Sequence, residues 1–146
     1  MHTQKIAWFV LRMVMAFIFL WAFIDKLFGF GFATKTEAAW IHGGSPTSGF
    51  LSFATKGPFA EFFQSLAGSH TVEWLFMLGL LFVGVTLLIN RYVMWGSIAG
   101  AVMMFLMWLA VFPPANNPLL DEHIVYICVF ALLAIRGRKG EMRLRQ

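Results

Sequence analysis

Charged residues are scarce in this chain, and their scarcity argues against a water-soluble domain. Asp, Glu, Lys and Arg make up only 12% of the 146 residues, whereas 60% are hydrophobic, and the mean hydropathy is +0.75. A soluble domain carries about 25% charged residues. The chain therefore has too little polar surface to cover a globule in water, and we expect lipid to be its main solvent. We expect residues 1–146 to form a single domain.

The chain is also poor in the residues that form disulfides or hold metals. Cys128 is the single cysteine, so neither an internal disulfide nor a C-x-x-C redox pair can form. The four histidines show no spacing typical of a metal site, and no segment is typical of a flavin or haem site. The net charge is +4, and most of the excess falls in the last eleven residues. We interpret it as a membrane topology signal and predict no nucleic-acid binding.

Long apolar runs predict four membrane spans, at about 6–28, 72–89, 92–112 and 119–135. A spanning helix needs roughly 20 residues. The last apolar run, 124–135, is shorter, so we extend the predicted span to begin at Leu119. The predicted fold is an all-α integral membrane protein, a four-transmembrane-helix bundle with short interfacial helices in a long first outer loop, 33–71. A G-x-x-x-G pattern, Gly96 to Gly100, predicts close helix packing.

Lysine and arginine near the span ends predict the orientation. One side has eight basic residues and the other has three lysines. The eight are Lys5, Arg12, Arg91, Arg136, Arg138, Lys139, Arg143 and Arg145, and the three are Lys26, Lys35 and Lys56. The side with eight is predicted to be cytoplasmic, which places both termini there in a multi-pass topology. We expect Arg12, two turns into the first span, to reach the inner lipid phosphates, and a role within the bundle is the less favoured alternative.

Polar residues lie at the outer ends of the first and fourth predicted spans. Asp25 and Lys26 end the first, and Asp121, Glu122 and His123 begin the fourth. Ionisable groups in a membrane are costly and are usually paired. A bundle could bring both groups together beneath the outer loop, either as a site that moves protons or binds a polar head group, or as an ion pair that only fixes packing. His123 is the candidate proton acceptor because histidine changes charge near neutral pH.

A stretch of small residues, 43–49, occupies the middle of the outer loop. Consecutive free N–H groups in such a turn can hold an anion, although any tight loop has a similar composition. Pro58 then suits the start of a short helix. Its apolar residues follow helical spacing, so we expect it either to lie in the membrane interface or to fold over the bundle as a lid.

Several segments together resemble the DoxX/DoxD family of small four-helix membrane proteins. The matching stretches are LWAFIDKLFG at 20–29, WIHGGSPTSGFL at 40–51, GPFA at 57–60, WLFMLGL at 74–80, PP at 113–114 and NPLLDEH at 117–123. The chain is most similar to the DoxD branch, the membrane subunit of thiosulfate:quinone oxidoreductase. This resemblance implies oxidation of thiosulfate to tetrathionate, a membrane quinone as co-substrate, a second subunit resembling DoxA, and the plasma membrane of a prokaryote.

Taken together with this resemblance, the polar residues define a hypothetical catalytic and substrate-binding site. The predicted catalytic residues are Asp25, Lys26, Asp121 and His123. The predicted substrate-binding residues are Trp21, Trp40, Gly43, Gly44, Ser45, Thr47 and Asn117. Lys26 would complement the anion, His123 with Asp121 would handle protons, and tryptophans, Trp108 among them, would flank the quinone. The alternative is a non-catalytic subunit that binds quinone or lipid or supports assembly of a larger membrane redox complex. Homo-oligomerisation stays open.

Overall fold

Helices packed side by side make up the computed structural model, which describes residues 2–115 and 117–143. The α-helices are α1 (His2–Phe28), α2 (Ala60–Ser65), α3 (His70–Leu88), α4 (Val93–Ala110) and α5 (Glu122–Arg143). The loop between α1 and α3 also contains 3-10 turns at Thr36–Ala38, Trp40–His42 and Gly57–Phe59 and a π-helix at Phe50–Ala54. No β-strand occurs in these residues. The predictions of an all-α fold and of short helices in the loop are therefore confirmed.

Among the described residues, three helices are long and apolar enough to cross a membrane: Thr3–Phe28, His70–Leu88 and Val93–Ala110. They correspond to the first three predicted spans. The fourth predicted span is not confirmed, and α5 begins at Glu122, three residues after the predicted start at Leu119. The delay has a local cause. Asn117 Oδ1 accepts the backbone N–H groups of Leu119 and Leu120, each at 2.9 Å, and so holds this segment in a turn.

The helices form an antiparallel bundle in which α1 packs on α3, α3 on α4, and α4 on α5. The rings of Phe19 and Phe130 meet edge to face at 5.3 Å and join α1 to α5. Glycines permit the close packing that the G-x-x-x-G pattern predicts. A Cβ on Gly100 would collide with the Phe130 ring, and Gly96 faces the Thr86 side chain. The pattern therefore serves contacts within the bundle.

One end of the bundle holds the start of α1, the α3–α4 turn and the end of α5. The guanidinium of Arg12 donates from Nη1 to the carbonyl oxygens of Leu87 and Leu88, and the guanidinium of Arg136 lies 5.1 Å from the Trp8 ring centroid. The expectation that Arg12 extends to lipid phosphates is thus wrong. The last carbonyls of a helix lack partners within the helix, and Arg12 binds those of α3.

Candidate functional site

Asp25 is a buried carboxylate that organises the loop after α1. Its side chain is 1% exposed, and its two oxygens accept backbone N–H groups of the following loop, from Ala33 at 2.9 Å and from Phe32 at 3.4 Å. The Gly29 N–H donates to its carbonyl oxygen at 2.7 Å. The carboxylate is therefore directed at the backbone of the loop. In the described part of the chain, it forms no ion pair with the neighbouring Lys26 within 4.0 Å.

Lys26 instead lines a cavity of about 370 Å³ at the outer end of the bundle. The other lining residues come from α3, α4 and the loop: Pro46, Thr47, Phe50, Leu51, Phe63, Leu66, Val72, Leu75, Phe76, Met103, Leu106, Met107 and Ala110. Of the predicted site residues that the structure describes, only Lys26 and Thr47 belong to this lining. The cavity follows α4 for two turns, about 10 Å at 1.5 Å per residue.

The cavity opens toward the apolar outer surface of the bundle. Leu75 on α3 and Leu106 on α4 both line it and are nevertheless 67% and 46% exposed. Their neighbours on the same helices, Leu78 and Val102, are also exposed. A surface of this composition is suited to contact with lipid.

The outer loop forms the roof of this cavity. Leu51 of the π-helix and Phe63 of α2 are buried against Ala110 at the end of α4. The Lys56 N–H donates to the Ala110 carbonyl at 3.0 Å and fastens the loop there. Of the two arrangements expected for this segment, the structure shows the second in part, because Leu51 and Phe63 pack against the end of α4 whereas Phe59 and Phe62 are exposed.

Thr47 is the other polar residue that lines the cavity. Its side chain is buried, and its hydroxyl has no hydrogen-bond partner among the described residues. Buried hydroxyls are normally bonded. The hydroxyl of Thr55, in the same loop, donates to the Leu51 carbonyl at 2.8 Å. Thr47 thus differs from Thr55 because its hydroxyl is enclosed without a hydrogen-bond partner in the described structure.

The predicted anion cradle at 43–49 has several of its polar groups already in use. Gly43 N–H donates to the Trp40 carbonyl and Gly44 N–H to the Ala39 carbonyl, both at 3.0 Å. The Ser45 hydroxyl accepts the Ser48 N–H at 3.1 Å. These bonds close local turns, so the two glycine N–H groups are not available to an anion.

Asp121 and His123 form a pair at the start of α5. Asp121 Oδ2 lies 2.8 Å from His123 Nδ1, and both side chains are nearly buried. Asp121 Oδ1 also accepts the His123 N–H at 3.0 Å, which makes Asp121 the N-cap of the helix. None of the described α5 residues lines the cavity, and no hydrogen bond in the described structure joins this pair to Asp25 or Lys26. The predicted joining of the two polar groups is therefore not observed. Their roles in catalysis stay predictions.

The tryptophans predicted at the site belong to separate aromatic contacts. Trp21 lies against Phe17 and Phe32 on the outer part of α1. Trp40 meets Trp74 at 4.6 Å. Trp108 donates its indole N–H to the Leu119 carbonyl at 3.0 Å. None of these rings lines the cavity. The aromatic side chains that do so are phenylalanines of the loop, α2 and α3, which the sequence suggested only as apolar packing.

Glu73 is a buried acid that the sequence analysis did not single out. It is 4% exposed in the first turn of α3, with Oε2 placed 3.2 Å from His70 Nδ1. A carboxylate is favoured there because the N-terminus of a helix carries partial positive charge. Its place in the first turn after a predicted helix start is the signal that could have identified it.

Comparisons with known protein families, with curated proteins and with solved structures find no match for this chain.

Proposed function

We propose that this chain is a membrane protein that takes a lipophilic molecule from the bilayer into its outer cavity. The observation that carries the proposal is the cavity of about 370 Å³, which is lined almost entirely by apolar side chains and opens between Leu75 and Leu106. Ligand pockets in proteins measure about 300–1,000 Å³ and have mainly apolar walls with a few polar groups. The resemblance to the DoxX/DoxD family makes a membrane quinone our first candidate occupant, with the chain as the binding subunit of a redox complex.

The proposal includes α5 as a fourth membrane span. Support comes from its packing along α4, where Phe130 fills the space beside Gly100 and Gly137 lies against Val93. α5 therefore accompanies a helix that is itself long enough to span. An exposed apolar stripe on α5 at helical spacing, Val125, Cys128, Leu132 and Ile135, offers a face to lipid.

The orientation follows from the two ends of this bundle. Basic side chains, including Lys5, Arg91 and Arg136, belong to the end that holds the helix termini, whereas Asp25 and Asp121 belong to the end with the loop. Because cytoplasmic ends are enriched in lysine and arginine, we propose that both termini lie in the cytoplasm. The cavity would then open in the outer leaflet of a prokaryotic plasma membrane.

Binding of a short-chain benzoquinone to the protein in lipid nanodiscs tests the proposal. Met107→Trp adds bulk inside the cavity, and Val102→Trp adds the same side chain on the exposed face of α4 one turn away. We expect the first variant to weaken binding by about tenfold or more, or roughly 1.4 kcal/mol, and the second to bind like the wild type. Equal binding by all three proteins would show that the quinone does not occupy the cavity.

Catalysis is a second proposal, which rests on the resemblance. Two thiosulfates would couple through a new sulfur–sulfur bond and release two electrons, and the quinone would take these electrons and two protons to become the quinol. Lys26 is the reason to consider this reaction, because it is the one basic residue in the cavity lining among the described residues. Thiosulfate-dependent quinone reduction by the purified protein, absent in Lys26→Met but retained in Lys35→Met, would support it. If the protein binds the quinone but shows no turnover, only the proposed binding role would remain.

A further inference from the structure

We propose that the end of the bundle that holds the helix termini binds an anionic phospholipid, with the phosphate at Arg136 on α5 and an acyl chain along the exposed face of this helix. The proposal goes beyond the outer cavity and does not depend on what that cavity holds. It requires only that α1 and α5 lie in the membrane, as proposed above. It gives a specific ligand to a side chain that the sequence analysis counted only as a topology signal.

The Arg136 guanidinium is held at the seam between α5 and α1. Its central carbon lies over the Trp8 ring, 5.1 Å from the ring centroid, which is a cation–π distance. Trp8 is half-buried, whereas Arg136 is exposed. The contact holds the long arginine side chain of one helix against an aromatic ring of the other, so the cation has a defined position before a ligand arrives. Arg12 differs, because its guanidinium binds the last carbonyls of α3.

The charge of Arg136 has no counter-ion within the described structure. No carboxylate of the described side chains lies within 4.0 Å of it. The segments that form this end of the bundle, 2–12, 88–95 and 132–138, contain neither Asp nor Glu. A guanidinium carries five N–H donors in a planar arrangement that matches the oxygens of a phosphate. Arg136 therefore offers an uncompensated positive charge to an anion.

The surroundings of Arg136 favour a phospholipid over a free anion. Leu132 lies one turn earlier on the same face of α5, about 6 Å along the helix axis, and is 50% exposed. Tryptophan is typical of the level of the lipid head groups, so Trp8 places Arg136 at that level. A phosphate at Arg136 would then continue into an acyl chain beside Leu132. The exposed Lys5, one turn from Trp8 on α1, adds a second cation, which favours an anionic head and repels a choline.

Native mass spectrometry of the purified protein tests the site, with equal amounts of a phosphatidylglycerol and a phosphatidylcholine that carry the same acyl chains. We expect the wild type to bind more phosphatidylglycerol. Arg136→Met should lower the ratio of the two bound lipids about fivefold, the effect of one basic residue near anionic lipid. Arg138→Met removes the same charge at an exposed position two residues further on α5, and should leave the ratio near the wild-type value. Trp8→Leu should lower the ratio because Arg136 loses its support, whereas the exposed Trp95 is the control for loss of a tryptophan, as Trp95→Leu.

Three results would overturn the proposal. A wild type that binds both lipids equally would remove the anionic preference. Equal losses in Arg136→Met and Arg138→Met would show a diffuse attraction to the whole basic end and not a site at Arg136. Displacement of phosphatidylglycerol by an equal concentration of glycerol phosphate, its soluble head, would show that the site binds a free phosphate. Met107→Trp fills the outer cavity and should leave the lipid ratio unchanged, so failure of this proposal is distinguishable from failure of the proposed function.

Discussion

Removal of the Asp25 carboxylate is expected to release the start of the outer loop. Asp25→Ala leaves the N–H groups of Phe32 and Ala33 without their acceptor. The bond to Ala33 has an ordinary length of 2.9 Å, whereas the bond to Phe32, at 3.4 Å, is at the long limit. Counting the first alone, loss of a part-buried hydrogen bond to a carboxylate costs about 1–3 kcal/mol. Asp25→Asn keeps one acceptor oxygen and should cost less.

Trypsin cleavage after Lys35 gives a local measure of this release. Cleavage follows the population of the open loop when opening and closing are fast. Each 1.4 kcal/mol changes that population about tenfold, so Asp25→Ala should speed cleavage at Lys35 by about fivefold to a hundredfold. Cleavage after Lys56 is the internal control, because this residue is bonded to Ala110 at the end of α4 and not to Asp25.

An unchanged rate at Lys35 in Asp25→Ala, in a folded sample, would refute this role for the carboxylate. The variant Asp25→Asn separates a structural role of this residue from a catalytic one. If Asp25 acts in catalysis, as the sequence suggested, turnover should fall in Asp25→Asn even where cleavage at Lys35 and ligand binding stay as in the wild type.

Three further substitutions test the bundle by thermal unfolding in detergent. Arg12→Met should destabilise the protein by about 1.5–3 kcal/mol, because hydrogen bonds from a charged donor to the last carbonyls of α3 are lost; a melting temperature equal to that of Arg138→Met would contradict this. Gly100→Leu should destabilise by about 1–3 kcal/mol or more through a clash with the Phe130 ring, and a stable variant would show that α4 and α5 separate freely. Asp121→Ala should cost about 1 kcal/mol through loss of the α5 N-cap, and no change would mean that the helix begins without it.

Hydrophobic runs predicted the first three spans because length and apolar composition are properties of the segment alone. The start of α5 was missed for a local reason, since the side chains of Asn117 and Asp121 bind nearby N–H groups and form a turn and a cap. The prediction for Arg12 failed for a non-local reason. Its partners are carbonyls 75 and 76 residues further along the chain, and a single segment gives no sign of them.

The cavity could not be predicted from the chain, because it exists only where the loop returns onto α3 and α4. Its Met103, Met107 and Phe76 have the composition of ordinary packing, and only their arrangement leaves a space. Lys26 and Thr47 were predicted as site residues, but for an anion in a glycine-rich turn. The structure places them instead in the lining of an apolar cavity.

The location of a bound quinone tests the proposed function most directly. A benzoquinone with a photoreactive azide can be irradiated with the protein in lipid nanodiscs, and the labelled peptides can then be mapped. We predict adducts in three segments that line the cavity, 46–51, 72–76 and 103–107, and their loss when excess unlabelled quinone competes. Adducts spread over the exposed apolar faces of α1 and α5, unaffected by competition, would contradict the proposal that the cavity is the binding site.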